Sequence, residues 1–116
     1  MLNQGEIYWI DTGPPSGSGP VYRRPYVIVQ NNVFNHSRIN TVIVCGLTSN
    51  LARSGLPGHV LVAAGEGNLP KDSLVNATQV VTIDKRQLEE RIGTLLPSRT
   101  REILDAIQLV LEPAEP

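Results

Sequence analysis

The chain has 116 residues, 41% of them hydrophobic and only 4% aromatic, with a formal net charge of −1. That length holds one compact domain over residues 1–116 and not two, and the apolar content excludes wholesale disorder. The near-neutral charge gives no global reason to expect nucleic acid, and the apolar runs are too short to span a bilayer.

No charged-then-apolar leader opens the chain, so a cytoplasmic protein with no membrane association is expected. A single cysteine, Cys45, excludes an internal disulfide and a cysteine-based zinc site. It lies in an apolar run and reads as a buried structural thiol rather than a nucleophile. Charge is distributed unevenly. Between Thr12 and Gly65 there are four arginines (Arg23, Arg24, Arg38, Arg53) and no carboxylate, whereas Glu66 onward carries nine acids against six bases. Such asymmetry can place a positive face on a neutral protein.

Taken in order, Glu6 to Asp11 is a strand, rich in β-branched and aromatic residues and bounded by Gly5 and Gly13. Thr12 to Pro20 holds three prolines and three glycines, too many for the interior of any regular element. This loop delivers Arg23 and Arg24 to a second strand, Pro25 to Asn31, and the following proline pushes Arg24 toward an extended backbone. Val27, Ile28 and Val29 in a row predict burial on both faces. Asn31 to Ser37 can make a short helical turn capped by an Asn, and Thr41 to Thr48 is the third strand.

Leu51 to Gly58 is irregular, His59 to Val62 is a short strand, and Gly65 to Pro70 is a turn. Asp72 to Ile83 alternates as one long strand or two short ones. Asp84 and Gln87 match a capping box for a brief helix through Glu90, and Arg91 to Leu95 returns as a strand. From Ser98 the period changes. Ile103, Ala106, Ile107 and Val110 mark the apolar face of a helix to Leu111, with Leu104 and Leu111 beside it and Glu102 near its N-terminus. The fold class expected is mainly β (α+β), a small curled antiparallel sheet or barrel of five to seven strands with short helices and a C-terminal helix.

Familiar catalytic constellations are missing. There is no Walker loop, no dinucleotide glycine fingerprint and no pair of histidines at helical spacing. The carboxylate-free first part argues against a metal-dependent nuclease. What is left is Arg24 behind its loop and Thr48 at the end of the third strand. Arginine is a planar, permanently charged fork suited to phosphate oxygens, and a nearby hydroxyl can donate to the same phosphate. The pair suits either phosphate recognition or stabilisation of a phosphoryl transition state.

The chain also resembles the MazF/PemK family of toxin endoribonucleases along nearly its whole length. The pieces that carry the resemblance are Gly5-Glu6-Ile7-Tyr8-Trp9, Gly17-Ser18, Arg24 to Asn31, Val42-Ile43-Val44 leading to Leu47-Thr48-Ser49, and Pro57 with His59-Val60. They continue with Leu69-Pro70-Lys71-Asp72-Ser73 and Gln79 to Lys85. Their order and spacing together are specific. The resemblance implies an SH3-like β-barrel acting as a homodimer, without a cofactor or metal, that cleaves single-stranded RNA at short motifs. It implies that Arg24 and Thr48 are catalytic and that Ser18 and Gln79 lie near the RNA path. It also implies a cognate antitoxin, for which a disordered acidic segment is the expected inhibitory element.

The chain departs from the family at Gly19, where many relatives carry Glu, and in the run Pro20-Val21-Tyr22-Arg23, which adds a second arginine. Arg23 either assists Arg24 or faces solvent. His59, of a residue type that titrates near neutrality, is a candidate proton carrier or RNA contact. Two other functions share this fold: a gyrase poison acting by binding alone, and a degenerate member that only pairs with an antitoxin. The first is marked by an apolar C-terminal tripeptide containing Trp, whereas this chain ends Pro113-Ala114-Glu115-Pro116 and has Trp9 alone. Retention of Arg24 and Thr48 argues against the second.

Overall fold

The apolar runs become six strands of one antiparallel sheet in the computed structural model, which describes residues 1–11 and 23–114. The strands are β1 Glu6–Asp11, β2 Arg23–Ile28, β3 Thr41–Thr48, β4 His59–Val62, β5 Ser73–Asp84 and β6 Arg91–Thr94. Two helices accompany them, α1 Asn32–Asn35 and α2 Pro97–Leu111. The sheet order is β4-β5-β3-β2-β1-β6, so β4 and β6 form its edges. The mainly β fold with a C-terminal helix is as expected, drawn as a curled half-barrel.

The Val27-Ile28-Val29 run is buried on both faces because neighbours along a strand point opposite ways. Ile7, Val27, Val29, Cys45 and Leu47 enter a larger core, while Ile10, Ile28, Val42 and Val44 form a second cluster. Helix α2 covers the larger core with buried Ile103, and Leu104, Ala106 and Ile107 pack beside it. Val110 and Leu111, expected on or beside the apolar face, are exposed; the packed stretch ends at Ile107. Pro97 extends the helix one residue before the expected start, since proline is preorganised for the first helical position. Arg99 clamps α2 to the 3-10 turn Glu66–Asn68, its Nε and Nη2 donating to the Glu66 carboxylate at 2.8 and 3.1 Å. These bonds, helped by the Ala63 amide, hold the Glu66 carboxyl below its ordinary range despite partial desolvation.

Several boundaries differ from the sequence reading, and those of β2 and of the turn after Asp84 have a hydrogen-bonding reason. Strand β2 begins at Arg23 because Arg23 and Arg24 pair with Asp11 and Ile10 of β1. It ends at Ile28 because the Val29 and Gln30 amides both donate to the Ile43 carbonyl, and Asn31 turns to cap α1. The Asp84–Gln87 capping box forms, but only a 3-10 turn Lys85–Gln87 follows. Glu89 and Glu90 instead exchange backbone hydrogen bonds with Trp9 and are drawn toward the sheet.

Strand β5 is continuous, yet its pairing with β3 jumps. Cys45 faces Val80 and Leu47 faces Val75, so residues 76–79 bulge opposite Gly46. The bulge satisfies its own polar groups. Asn76 Oδ1 accepts from the Thr78 amide and hydroxyl at 3.0 and 2.6 Å, and the Ala77 amide donates to the Gly58 carbonyl at 2.7 Å. Cys45 Sγ donates to the Asn76 carbonyl at 3.0 Å, and burial pushes this thiol up to about 11, as suits a structural cysteine. At the far edge, Gly93 of β6 lies against the Gly67 carbonyl, and Asn68 Nδ2 donates to the Ile92 carbonyl at 3.1 Å.

Candidate functional site

Arg24 and Thr48 sit near the same end of the sheet, on β2 and at the last position of β3. Three adjoining cavities of about 360, 290 and 270 Å³ meet there, and Arg24 lines all of them. Thr48 lines the first two. Among the described residues no carboxylate lines any of the three, while Arg23, Lys71, Arg53 and His59 join Arg24. Three of the four arginines in the carboxylate-free part of the sequence therefore converge on one groove.

The local geometry leaves donors for a ligand. Arg24 Nη2 donates to the Leu47 carbonyl at 3.3 Å, which orients the guanidinium while most of its five N–H groups stay available. Thr48 Oγ1 accepts from the Asn50 amide at 3.2 Å, so its own proton is still there to give. Gly46, between the second and third cavities, is closely approached by a side chain. A β-carbon there would stand 3.1 Å from the Tyr26 ring, which packs across from it.

His59 begins β4 and lines the second cavity. Its Nδ1 lies 3.2 Å from the Pro57 carbonyl, which can only accept, so Nδ1 carries the proton of that bond. That Nε2 is buried with no hydrogen-bond partner. Buried polar atoms are nearly always paired, so an orphan in a cavity leaves a place for a water or a ligand to supply the partner. Gln79, carried by the bulge, lines the second and third cavities.

Arg23 lines the first cavity and stays exposed, as one of the two expected alternatives had it, but its guanidinium is engaged. Its Nε donates to Glu89 Oε1 at 3.0 Å, and its guanidinium lies 5.2 Å from the centre of the Trp9 ring. The expected contact at Ser18, and the departure at Gly19, lie outside the described residues. All other expected site residues, Arg24, Thr48, Arg23, His59 and Gln79, are brought together. Trp9, Arg53 and Lys71 were not singled out as site residues, although Trp9 is the chain's only tryptophan. The described residues contain no group of three or more His, Cys, Asp or Glu able to hold a metal ion. No described helix is long and apolar enough to cross a membrane.

Comparison with known proteins identifies the family of the chain. A family profile described as a PemK-like, MazF-like toxin of type II toxin–antitoxin system matches residues 3–111. The chain is 42% identical over 112 residues to an endoribonuclease MazF6 of Mycobacterium tuberculosis, covering 97% of this chain and 98% of the relative. It is 33% identical to an endoribonuclease MazF of Staphylococcus saprophyticus, covering 96% and 92%. Among solved structures, an endoribonuclease in complex with its cognate antitoxin from a mycobacterial species superposes with a TM-score of 0.78. That match is 26% identical and covers 100% of both chains.

Proposed function

The chain belongs to the PemK-like, MazF-like toxin family of type II toxin–antitoxin systems and is an endoribonuclease; on that premise we propose that it cleaves single-stranded RNA at short sequence motifs without a metal ion. The observation that carries this reading is the convergence of Arg24 and Thr48 on one carboxylate-free groove.

In the proposed reaction the RNA 2′-hydroxyl attacks the adjacent phosphorus. The O2′–P bond forms as the P–O5′ bond breaks, leaving a 2′,3′-cyclic phosphate and a 5′-hydroxyl. Arg24 clamps the phosphate and neutralises the negative charge that grows on its oxygens, and Thr48 donates a hydrogen bond to one of them. His59, through its unpaired Nε2, and Gln79, as an amide, hold the flanking nucleotide. Lys71 contributes positive potential along the strand.

An acidic, disordered antitoxin segment suits the same groove by charge and would inhibit by occupying it. A second copy of the chain is the proposed partner for the outer part of β3 and β5, where Ile43 and Val80 share one face and are both exposed.

Incubating the purified protein with a long RNA in EDTA, then mapping the new ends, tests the reading. Cleavage at a short motif with 5′-hydroxyl ends is expected. Replacing the nucleotide at the cleavage point by its 2′-deoxy form abolishes cutting if the 2′-hydroxyl is the nucleophile; continued cleavage there would refute the mechanism.

A further inference from the structure

We infer that Trp9 is a base-stacking residue: the indole, with the Arg23 guanidinium laid against it, forms the platform on which one nucleobase beside the cleaved phosphate rests. The inference rests on the RNA-cleaving reading above and adds to it a binding role for a residue outside the Arg24–Thr48 pair.

The sequence makes the position unusual. With aromatics at 4%, the chain has one tryptophan, and large aromatic side chains are normally placed where they bury most area. Trp9 belongs to neither core cluster. Its register explains why. Ile7 pairs with Val27 in the larger core, and the next pair along the same row is Trp9 with Pro25. At that pair the core stops and the cavity of about 360 Å³ begins, with Trp9, Pro25, Leu47 and Pro70 as its apolar walls.

The remaining walls suit one nucleotide. Arg24 and Thr48, the proposed phosphate ligands, line the same cavity, so a group held against Trp9 is adjacent to the phosphate they bind. Arg23 is fixed over the indole at 5.2 Å by its bond to Glu89 Oε1, and the other carboxylate oxygen accepts from the Asp11 amide. Glu89 thereby turns Arg23 from a free phosphate ligand into part of a stacked pair. Bases in single strands are held by stacking on aromatic rings and arginine planes, in clefts whose positive charge follows the backbone. The volume lies within the range of small-ligand sites, and its apolar walls would otherwise stand in water.

The chain's lone tryptophan makes the test direct. The probe is an oligoribonucleotide carrying the mapped cleavage motif, with a 2′-O-methyl group at the cleaved position, its binding followed by the anisotropy of an end label. Binding is expected to change Trp9 emission. Abasic substitution at one nucleotide next to the cleaved phosphate should weaken binding on the order of tenfold in the native protein. The same substitution should have little further effect in Trp9→Leu. In cleavage assays Trp9→Leu should raise KM by a similar factor with kcat little changed, and Trp9→Phe should restore most of the loss.

Binding without a change in emission, or abasic penalties that are identical in native protein and Trp9→Leu, overturns the stacking role and leaves the nuclease reading intact. The emission measurement needs no variant, so misfolding of Trp9→Leu does not rescue the idea. Absence of both RNA binding and RNA cleavage in the native protein overturns the nuclease reading and this inference together.

Discussion

The two halves of β5 have similar sequences and opposite surroundings. Leu74, Val75 and Ala77 in the first half are buried, whereas Val80 and Val81 in the second are 40% and 43% exposed. Hydrophobicity does not separate them; cover does. The first half pairs with β4 through residues 73–76, and α2 packs against β5 and β4. The second half pairs with β3 alone. The bulge at residues 76–79 is the joint between a half that holds the fold together and a half that presents itself outward. The site lies at the joint, where Gln79 and Asn76 come off the bulge beside Arg24.

The comparison can be attacked at four strengths. The largest effect is expected at the joint, where Arg24→Ala should lower cleavage rates by about a hundredfold or more. Thermal unfolding should barely move, because Arg24 makes one side-chain bond to Leu47 and enters neither core cluster. A large fall in melting temperature would make Arg24 structural. The matched pair Val75→Ala and Val80→Ala tests the halves themselves. Fully buried Val75 should cost about 2 kcal/mol by denaturant unfolding, from two lost methylene-sized groups and the cavity left behind.

Acid should weaken the cover over the first half. The Arg99 hydrogen bonds hold Glu66 below its ordinary value of 4.5, so the folded state prefers the ionised form. That stabilisation is present in full above the unfolded value and disappears as pH falls through the lower folded one. Arg99→Gln should therefore flatten the acid limb of stability against pH below about 4.5 while leaving its shape near neutrality unchanged. The smallest effect is the other member of the valine pair. Val80→Ala should change monomer stability by less than about 0.5 kcal/mol, and weakened self-association in sedimentation would tie the outward half to a second copy.

Much of this was legible in the sequence, for reasons that differ by element. Strands β1, β3 and β4 have the expected bounds because their apolar runs end at clear turn residues. The bulge was not legible. Asp72 to Ile83 reads as one strand or two because neither glycine nor proline marks the break. The residue it bulges against, Gly46, stands on another strand. The placing of Arg24 and Thr48 near one end of the sheet was legible because Arg-Pro and the end of a strand are local features. The engagement of Arg23 was not, since Glu89 lies 66 residues away and only the fold brings it near. Trp9 carried a signal that was passed over: a lone tryptophan in an aromatic-poor chain calls for a reason.

The closed edge of the sheet has a consequence for the protein in a crowded solution. An unpaired strand edge is a template onto which another chain can add, and repeated addition gives fibres. Here β6 has Gly93 pressed against the Gly67 carbonyl, and the Asn68 side chain already occupies the Ile92 carbonyl. A newcomer strand would have to displace that turn first. The opposite edge, β4, is four residues long and offers little length for growth. Copies of this chain can thus meet face to face without seeding end-to-end polymerisation.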